Sequence, residues 1–214
     1  ERWIGQTSKG DWVVALFNRS DSTVTKSIDF ESILGLSYGG YVHDVWKHTN
    51  LGSMTSYSVS LQPHDVSMII ISPDRTNATA IRYEAEVASY QNGAHFNNDH
   101  TGCSGEGFVD QLSGEHTGAD VLFGVYADYT GSHRITMRYA NATGSASSAT
   151  IKVKSETNAQ VDTAVLSLPA LSSWDDWGTA SVSVELNQGL NLISVGRETT
   201  DTGAFNLDCI DVYM

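Results

Sequence analysis

Apolar and polar residues alternate in short stretches from one end of this chain to the other. In "DWVVALFNRS", "GYVHDVWKH", "SYSVSLQPHDVSMIIIS", "HRITMRYAN" and "TASVSVELN", Val, Ile, Leu and aromatic residues recur with a period near two or in brief runs, and Gly, Asn, Ser and Asp separate the stretches. A period of two marks a strand with one buried face, because successive side chains leave the backbone in opposite directions. The 3.6-residue recurrence of an amphipathic helix is absent, although "DFESILGL" has room for two helical turns. Many short strands divided by turn residues predict an all-β protein built from antiparallel, jelly-roll-like sandwiches.

The pattern lapses at residues 72–80, "SPDRTNATA", which are polar and hold one of only 3 prolines. Such a stretch reads as a surface linker. It predicts one sandwich over residues 1–75, a linker over 76–80 and a second sandwich over 81–214. The chain opens on "ERWIGQTSKGDW", which is polar and strand-like, shows no signal peptide and reads as the interior of a longer protein.

Just past the linker, Ile81, Tyr83, Ala85 and Val87 alternate with Arg82, Glu84, Glu86 and Ala88. Period two places both glutamates on one face. Neighbouring carboxylates repel, and burial raises at least one pKa unless something positive compensates. The pair is either a solvated acidic face or part of an oxygen shell for a hard cation such as Ca²⁺, which takes about six to eight oxygen ligands.

Charge changes the picture further. The net charge of −13 and pI near 4.7 argue against a nucleic-acid partner, which would need clustered Lys and Arg. The first 80 residues carry 6 basic and 8 acidic groups, whereas residues 81–214 carry 6 and 17. That skew fits a cation-binding second half or a soluble acidic surface. No apolar run approaches the roughly 18 to 20 residues of a membrane span.

Asn18, Asn77 and Asn141 each begin an Asn-x-Ser/Thr sequon. With two cysteines they point to a secreted, extracellular glycoprotein, in which Cys103 and Cys209 form one disulfide; the alternative is two buried free thiols. No catalytic constellation is present. The histidines lack zinc-site spacing, no G-x-S-x-G elbow occurs, and the adjacent Asp175 and Asp176 point apart in an extended segment.

Two family resemblances arise from ordered motifs. Leu16-Phe17-Asn18, Asp44 and Trp46, Leu51-Gly52 and Pro63-His64 make residues 1–75 resemble the C-terminal antiparallel β domain of family 27 glycoside hydrolases, the α-galactosidase group. That resemblance implies a non-catalytic tail whose partner is a catalytic (β/α)8 barrel lying upstream. It also predicts an apolar patch on residues 1–75, with one of Trp3, Trp12 and Trp46 near it. The runs "YEAE", "CSGEGFVDQL", "RITMRYAN", "SSWDDWGTASVSVELNQGLNLISV" and "FNLDCIDV" make residues 81–214 resemble a family 35 carbohydrate-binding module, related to family 6.

The second resemblance assigns roles. It implies that Glu84 and Glu86 bind a structural Ca²⁺ together with Asp208 and carbonyls of the loop before Phe108, and it places Cys103 next to Cys209. It implies that Trp174 stacks on a sugar, that Asn206 bonds its hydroxyls, and that Trp177 packs into the sandwich. Arg138 pairs with an acidic sugar or makes a structural ion pair, and Asp110 stands where a second binding group often sits. Polymers containing galactose or uronic acid are the implied ligands. The whole then reads as the tail of a secreted α-galactosidase-like enzyme. The alternatives are a free-standing lectin-like protein and the tail of an isomaltodextranase, β-L-arabinopyranosidase or α-N-acetylgalactosaminidase.

Overall fold

The computed structural model describes residues 1–76 and 79–213 of the chain. It divides into two units, residues 1–78 and 79–214, each with its own contacts. Both are all-β and antiparallel.

The first unit contains β1 (Arg2–Gln6), β2 (Trp12–Phe17), β3 (Val24–Asp29), α1 (Phe30–Leu34), β4 (Gly40–Asp44), β5 (Thr49–Met54), β6 (Ser56–Leu61) and β7 (Val66–Pro73). Five strands form a sheet in the order β1-β2-β7-β4-β5, and β3 pairs with β6 as a second layer. Trp12, Val14, Leu16, Ile69 and Ile71 of the larger sheet are buried, as are Ile28 and Leu61 of the hairpin. Helix α1 falls within "DFESILGL". Asp29 caps its start by accepting from the Ser32 amide at 2.9 Å, and Gly35 ends it at φ +66°, a left-handed conformation that glycine adopts without strain.

The larger sheet is apolar on both faces. Register pairs Val13 with Ile70 and Ala15 with Met68, and these lie opposite the buried set. Phe17 and Trp3 extend that face, their rings 4.9 Å apart, and Trp3 is 60% exposed. Trp46 is 61% exposed, whereas Trp12 is buried. A near-continuous apolar run in β2 and β7 is what a strand covered on both faces requires.

The second unit contains β8 (Ile81–Glu84), β9 (Ser89–Gln91), β10 (His95–Asn97), β11 (Phe108–Leu112), β12 (Asp120–Ala127), β13 (Gly131–Ala140), β14 (Ser147–Ser155), β15 (Gln160–Leu168), β16 (Gly178–Leu186), β17 (Gly189–Gly196) and β18 (Phe205–Tyr213). One sheet runs β10-β11-β18-β13-β16, with β8 also paired to β18; the other runs β15-β14-β17-β12-β9. Their inner faces share one core, to which Ile135, Met137 and Ile210 contribute from the first sheet and Phe123, Ile151 and Val195 from the second. Each such side chain removed from water contributes about 1.5 to 3 kcal/mol.

Two features of β18 position the acidic side chains of this unit. Its N-terminal half pairs with β11 and its C-terminal half with β8, both along one edge. Between them, Arg138 of β13 faces Cys209 while Tyr139 faces Leu207, so Asp208 is the extra residue of a β-bulge. A bulge re-aims side chains. Leu207 and Ile210 enter the core, and Cys209 lies outside that core cluster, opposite Glu84.

The asparagines of two sequons, Asn18 and Asn141, are tied into the fold. Asn18 and Asn141 are 2% and 0% exposed. The Asn18 Nδ2 donates to the carbonyls of Ser22, Leu61 and Gln62. The Asn141 Nδ2 donates to those of Ser145 and Leu168. In both, the side-chain oxygen accepts from the amide and the hydroxyl of the residue two positions on, Ser20 or Thr143. The nitrogen that would carry a sugar is thus buried and committed at both sites. Asn77 lies outside the described residues.

Candidate carbohydrate cleft and acidic cluster

A loop over residues 98–107 joins β10 to β11 and a second over residues 169–177 joins β15 to β16. They are fastened to each other. Asp175 Oδ1 accepts from the Thr101 amide at 2.7 Å and its hydroxyl at 3.1 Å, which lowers the Asp175 pKa, and Trp177 Nε1 donates to the Thr101 carbonyl at 2.9 Å. His100 lies between two rings, 5.8 Å from Phe108 and 6.4 Å from Trp174, near-parallel to both. Trp177 meets Phe108 edge-on at 5.4 Å, and both rings lie outside the core cluster of the sandwich into which Trp177 was expected to pack.

Beside this aromatic stack is a shallow cleft of about 220 Å³. Trp174, Asn206 and Asp110 all line it, brought together from the 169–177 loop, β18 and β11. Trp174 is half-buried, its indole steadied by His100. Gln111, inside the run "CSGEGFVDQL", and Ser113, just past it, also line the cleft. Register slips between Val109 and Leu112, and Gln111 takes a left-handed φ of +60°, a conformation a residue with a side chain holds only when its surroundings enforce it. The turn this makes leaves Asp110 Oδ1 and Ser113 Oγ buried with no aligned hydrogen bond. Asp110 Oδ2 is occupied, accepting from Asn97 Nδ2 at 2.9 Å, and His95 Nε2 stands 3.2 Å from Oδ1. A flat indole with converging polar groups suits a sugar, whose rings have apolar C–H faces and hydroxyl edges.

Arg138 is not in this cleft. Its guanidinium forms an ion pair with Asp208 Oδ2 and donates to the Gly102 carbonyl at 2.8 Å, with the Trp177 ring 5.3 Å away. Of the two roles open to it, the structure gives the internal ion pair.

Glu84 and Asp208 face each other across Ser104, whose hydroxyl is 2.8 Å from Glu84 Oε2 and 3.1 Å from Asp208 Oδ2. Glu86 sits on a 3-10 turn, Ala85–Val87, because β8 ends at Glu84. The alternation expected through Ala88 therefore stops four residues early. Glu86 still reaches the same loop, its Oε1 accepting from the Glu106 amide at 3.0 Å. Gly105, at φ +60°, lies so close that a Cβ there would collide with this oxygen. Burial, the Glu86 charge and the Asp208 charge push the Glu84 carboxyl well above its ordinary range; burial lifts Glu86 to about 8; burial raises Asp208 despite Arg138.

Among the described residues, no three Asp, Glu, His or Cys side chains close around one point as a finished metal centre does. The donor chemistry nonetheless suits a hard cation. All three groups are carboxylates, two of them 1% and 0% exposed, and Glu86 Oε2 is buried with no hydrogen-bond partner.

The disulfide expectation is corrected: Cys103 and Cys209 are free thiols. The Cys103 sulfur turns toward the His100 carbonyl of its own loop at 3.9 Å, and the Cys209 sulfur lies 3.8 Å from Asp208 Oδ2. Burial, reinforced by the surrounding carboxylates, lifts Cys103 to about 11 and Cys209 well above the usual thiol range. Thiols kept protonated in this way exchange slowly.

Comparison with known proteins agrees with the two-unit division. Residues 1–71 match the family described as "Alpha galactosidase C-terminal beta sandwich domain" and residues 84–213 the family "Carbohydrate binding module (family 6)". The isomalto-dextranase of Arthrobacter globiformis is 41% identical over all of this chain, which spans about a third (35%) of that relative. The solved structure of the Arthrobacter globiformis T6 isomalto-dextranase complexed with panose superposes with a TM-score of 0.94 at 44% identity, covering 100% of this chain and 36% of that one. A family 35 carbohydrate-binding module from Clostridium thermocellum covers 64% of this chain and 98% of its own, with a TM-score of 0.54 and 27% identity.

Proposed function

Because the chain belongs to the carbohydrate-binding module family 6, we propose that its second unit holds an oligo- or polysaccharide in the Trp174 cleft. The observation that carries this reading is convergence: Trp174, Asn206 and Asp110 come from three separate elements and line one cleft that also holds buried, unpaired polar atoms. Trp174 would cover the apolar face of one sugar ring, and Asn206 would bond its hydroxyls. So shallow a site desolvates little area, so affinity is modest, with a Kd of about 0.1 to 1 mM.

The larger protein is a secreted glycosidase, and this chain is its non-catalytic, polysaccharide-targeting part. The full-length similarity favours an enzyme of the isomalto-dextranase kind over an α-galactosidase, and hence an α-1,6-linked glucan as ligand over a galactose polymer. The apolar outer face of β2 and β7 in the first unit, with Trp3 beside it, would pack against the catalytic domain.

Glu84, Glu86 and Asp208 would hold a Ca²⁺. The ion would neutralise three crowded carboxylates and tie the first strand of the unit to its last; it takes part in no reaction.

Retention on immobilised dextran, compared with galactan, tests the ligand. Retention on dextran that Trp174→Ala abolishes is the expected result. Equal retention of parent and variant would place the site elsewhere.

A further inference from the structure

The cleft carries negative charge and no fixed positive one. Asp99 and Asp110 line it, and no Lys or Arg does. Two cations stand outside the lining and both are engaged: Arg138 by Asp208 and the Gly102 carbonyl, and Arg197, next to Gly114, by the Gly203 and Glu198 carbonyls. Asp110 is 9% exposed and is held by Asn97 at Oδ2, with His95 Nε2 3.2 Å from Oδ1, so its carboxylate has a fixed direction. Ser113 Oγ is the second buried, unpaired polar atom on the same turn, set there by the left-handed Gln111 and by a 2.9 Å bond from the Ser113 amide to the Gln111 carbonyl.

We propose that Asp110 and Ser113 together read the hydroxyls of the bound sugar, and that the charge of Asp110 restricts the cleft to neutral sugars and rejects uronic acids. The inference rests on the carbohydrate reading of the Trp174 cleft and names the residue that selects within it. A fixed carboxylate is a strong acceptor for a sugar O–H, because charged hydrogen bonds exceed neutral ones. Ser113 can donate to or accept from a neighbouring hydroxyl. A ligand carboxylate in the same place would meet a like charge in a partly desolvated site with no Lys or Arg among the described residues that line it. Facing Oδ1 is His95 Nε2, at 3.2 Å.

The test is affinity electrophoresis of the 214-residue chain at pH 7.5 in gels containing dextran or polygalacturonate, with Trp174→Ala, Asp110→Asn, Asp110→Ala and Ser113→Ala alongside. Dextran should retard the parent and polygalacturonate should not. Asp110→Ala should weaken dextran binding by roughly tenfold or more, and Ser113→Ala by a few-fold. Asp110→Asn keeps the shape and removes the charge, so the ratio of polygalacturonate to dextran affinity should rise about tenfold. Its thermal unfolding, matched to the parent, checks that it folds. Polygalacturonate binding by the parent that Trp174→Ala removes would overturn the charge filter and leave the carbohydrate cleft standing. An unchanged affinity ratio in Asp110→Asn would also overturn it. Retardation by neither polymer, or retardation indifferent to Trp174→Ala, would overturn the filter and the cleft together.

Discussion

Truncating Asn141 to alanine removes two donated hydrogen bonds, to the Ser145 and Leu168 carbonyls, and two accepted from Thr143, all at a fully buried position. The carbonyls it leaves are cut off from water, so the loss should be about 2 to 4 kcal/mol, read as a lower urea midpoint with an unchanged slope. The same substitution at Asn18 should cost a similar amount. Peptides containing Asn18 or Asn141 from protein secreted by a glycosylating host should carry no sugar; a glycosylated Asn141 peptide from folded protein would refute the buried arrangement. Read alone, "NRS" and "NAT" resemble glycan acceptors. A serine stands four positions beyond each asparagine, Ser22 or Ser145, and its carbonyl accepts the Asn amide. That longer motif, with a strand end to bind, is the structural signal a three-residue pattern omits.

The bulge in β18 brings Asp208 onto the side of the sheet where β8 ends at Glu84. Without a cation the resulting cluster should make stability depend on pH in an unusual direction. Glu86 in the folded state holds its proton to about 8, against an ordinary 4.5. Between those values the unfolded chain ionises and the folded one does not, so stability falls as pH rises from 4.5 to 8 and levels off above. Metal-free protein should therefore melt lower at pH 8 than at pH 5, and millimolar Ca²⁺ should raise the melting temperature most at the higher pH. Glu86→Gln should flatten the metal-free profile. A Tm that rises with pH in the presence of chelator, or that ignores Ca²⁺, would remove the cation from the account. The glutamate pair was legible because "YEAE" puts two carboxylates two residues apart. That Glu86 rides a 3-10 turn and Asp208 a bulge was not, since both depend on where β11 and β8 share an edge of β18, a fact of tertiary pairing. Arg138 illustrates the same limit: its sequence position allowed either a ligand role or an ion pair, and the bulge that re-aims Asp208 selects the pair.

At the scale of the whole molecule, the alternating pattern carried the fold class, since an all-β chain of short strands states its period in every segment. It carried less of the site. Trp174 and Asn206 were found by resemblance, whereas Gln111 and Ser113 entered only with the tight turn in β11, which no local composition announces. The proposed docking of a catalytic domain on the apolar outer face of the first unit would cover Trp3 and Phe17. Hydroxyl-radical footprinting should modify Trp3 readily in the 214-residue chain and several-fold less in the full-length enzyme; equal modification would count against that docking face. The central claim is narrower, that the Trp174 cleft binds a sugar. It is tested most directly by isothermal titration of the chain with isomaltotriose, parent against Trp174→Ala. Saturable binding by the parent with a Kd of about 0.1 to 1 mM, and no measurable heat from the variant, is the predicted result. Undiminished binding by the variant, with both proteins folded, would contradict it.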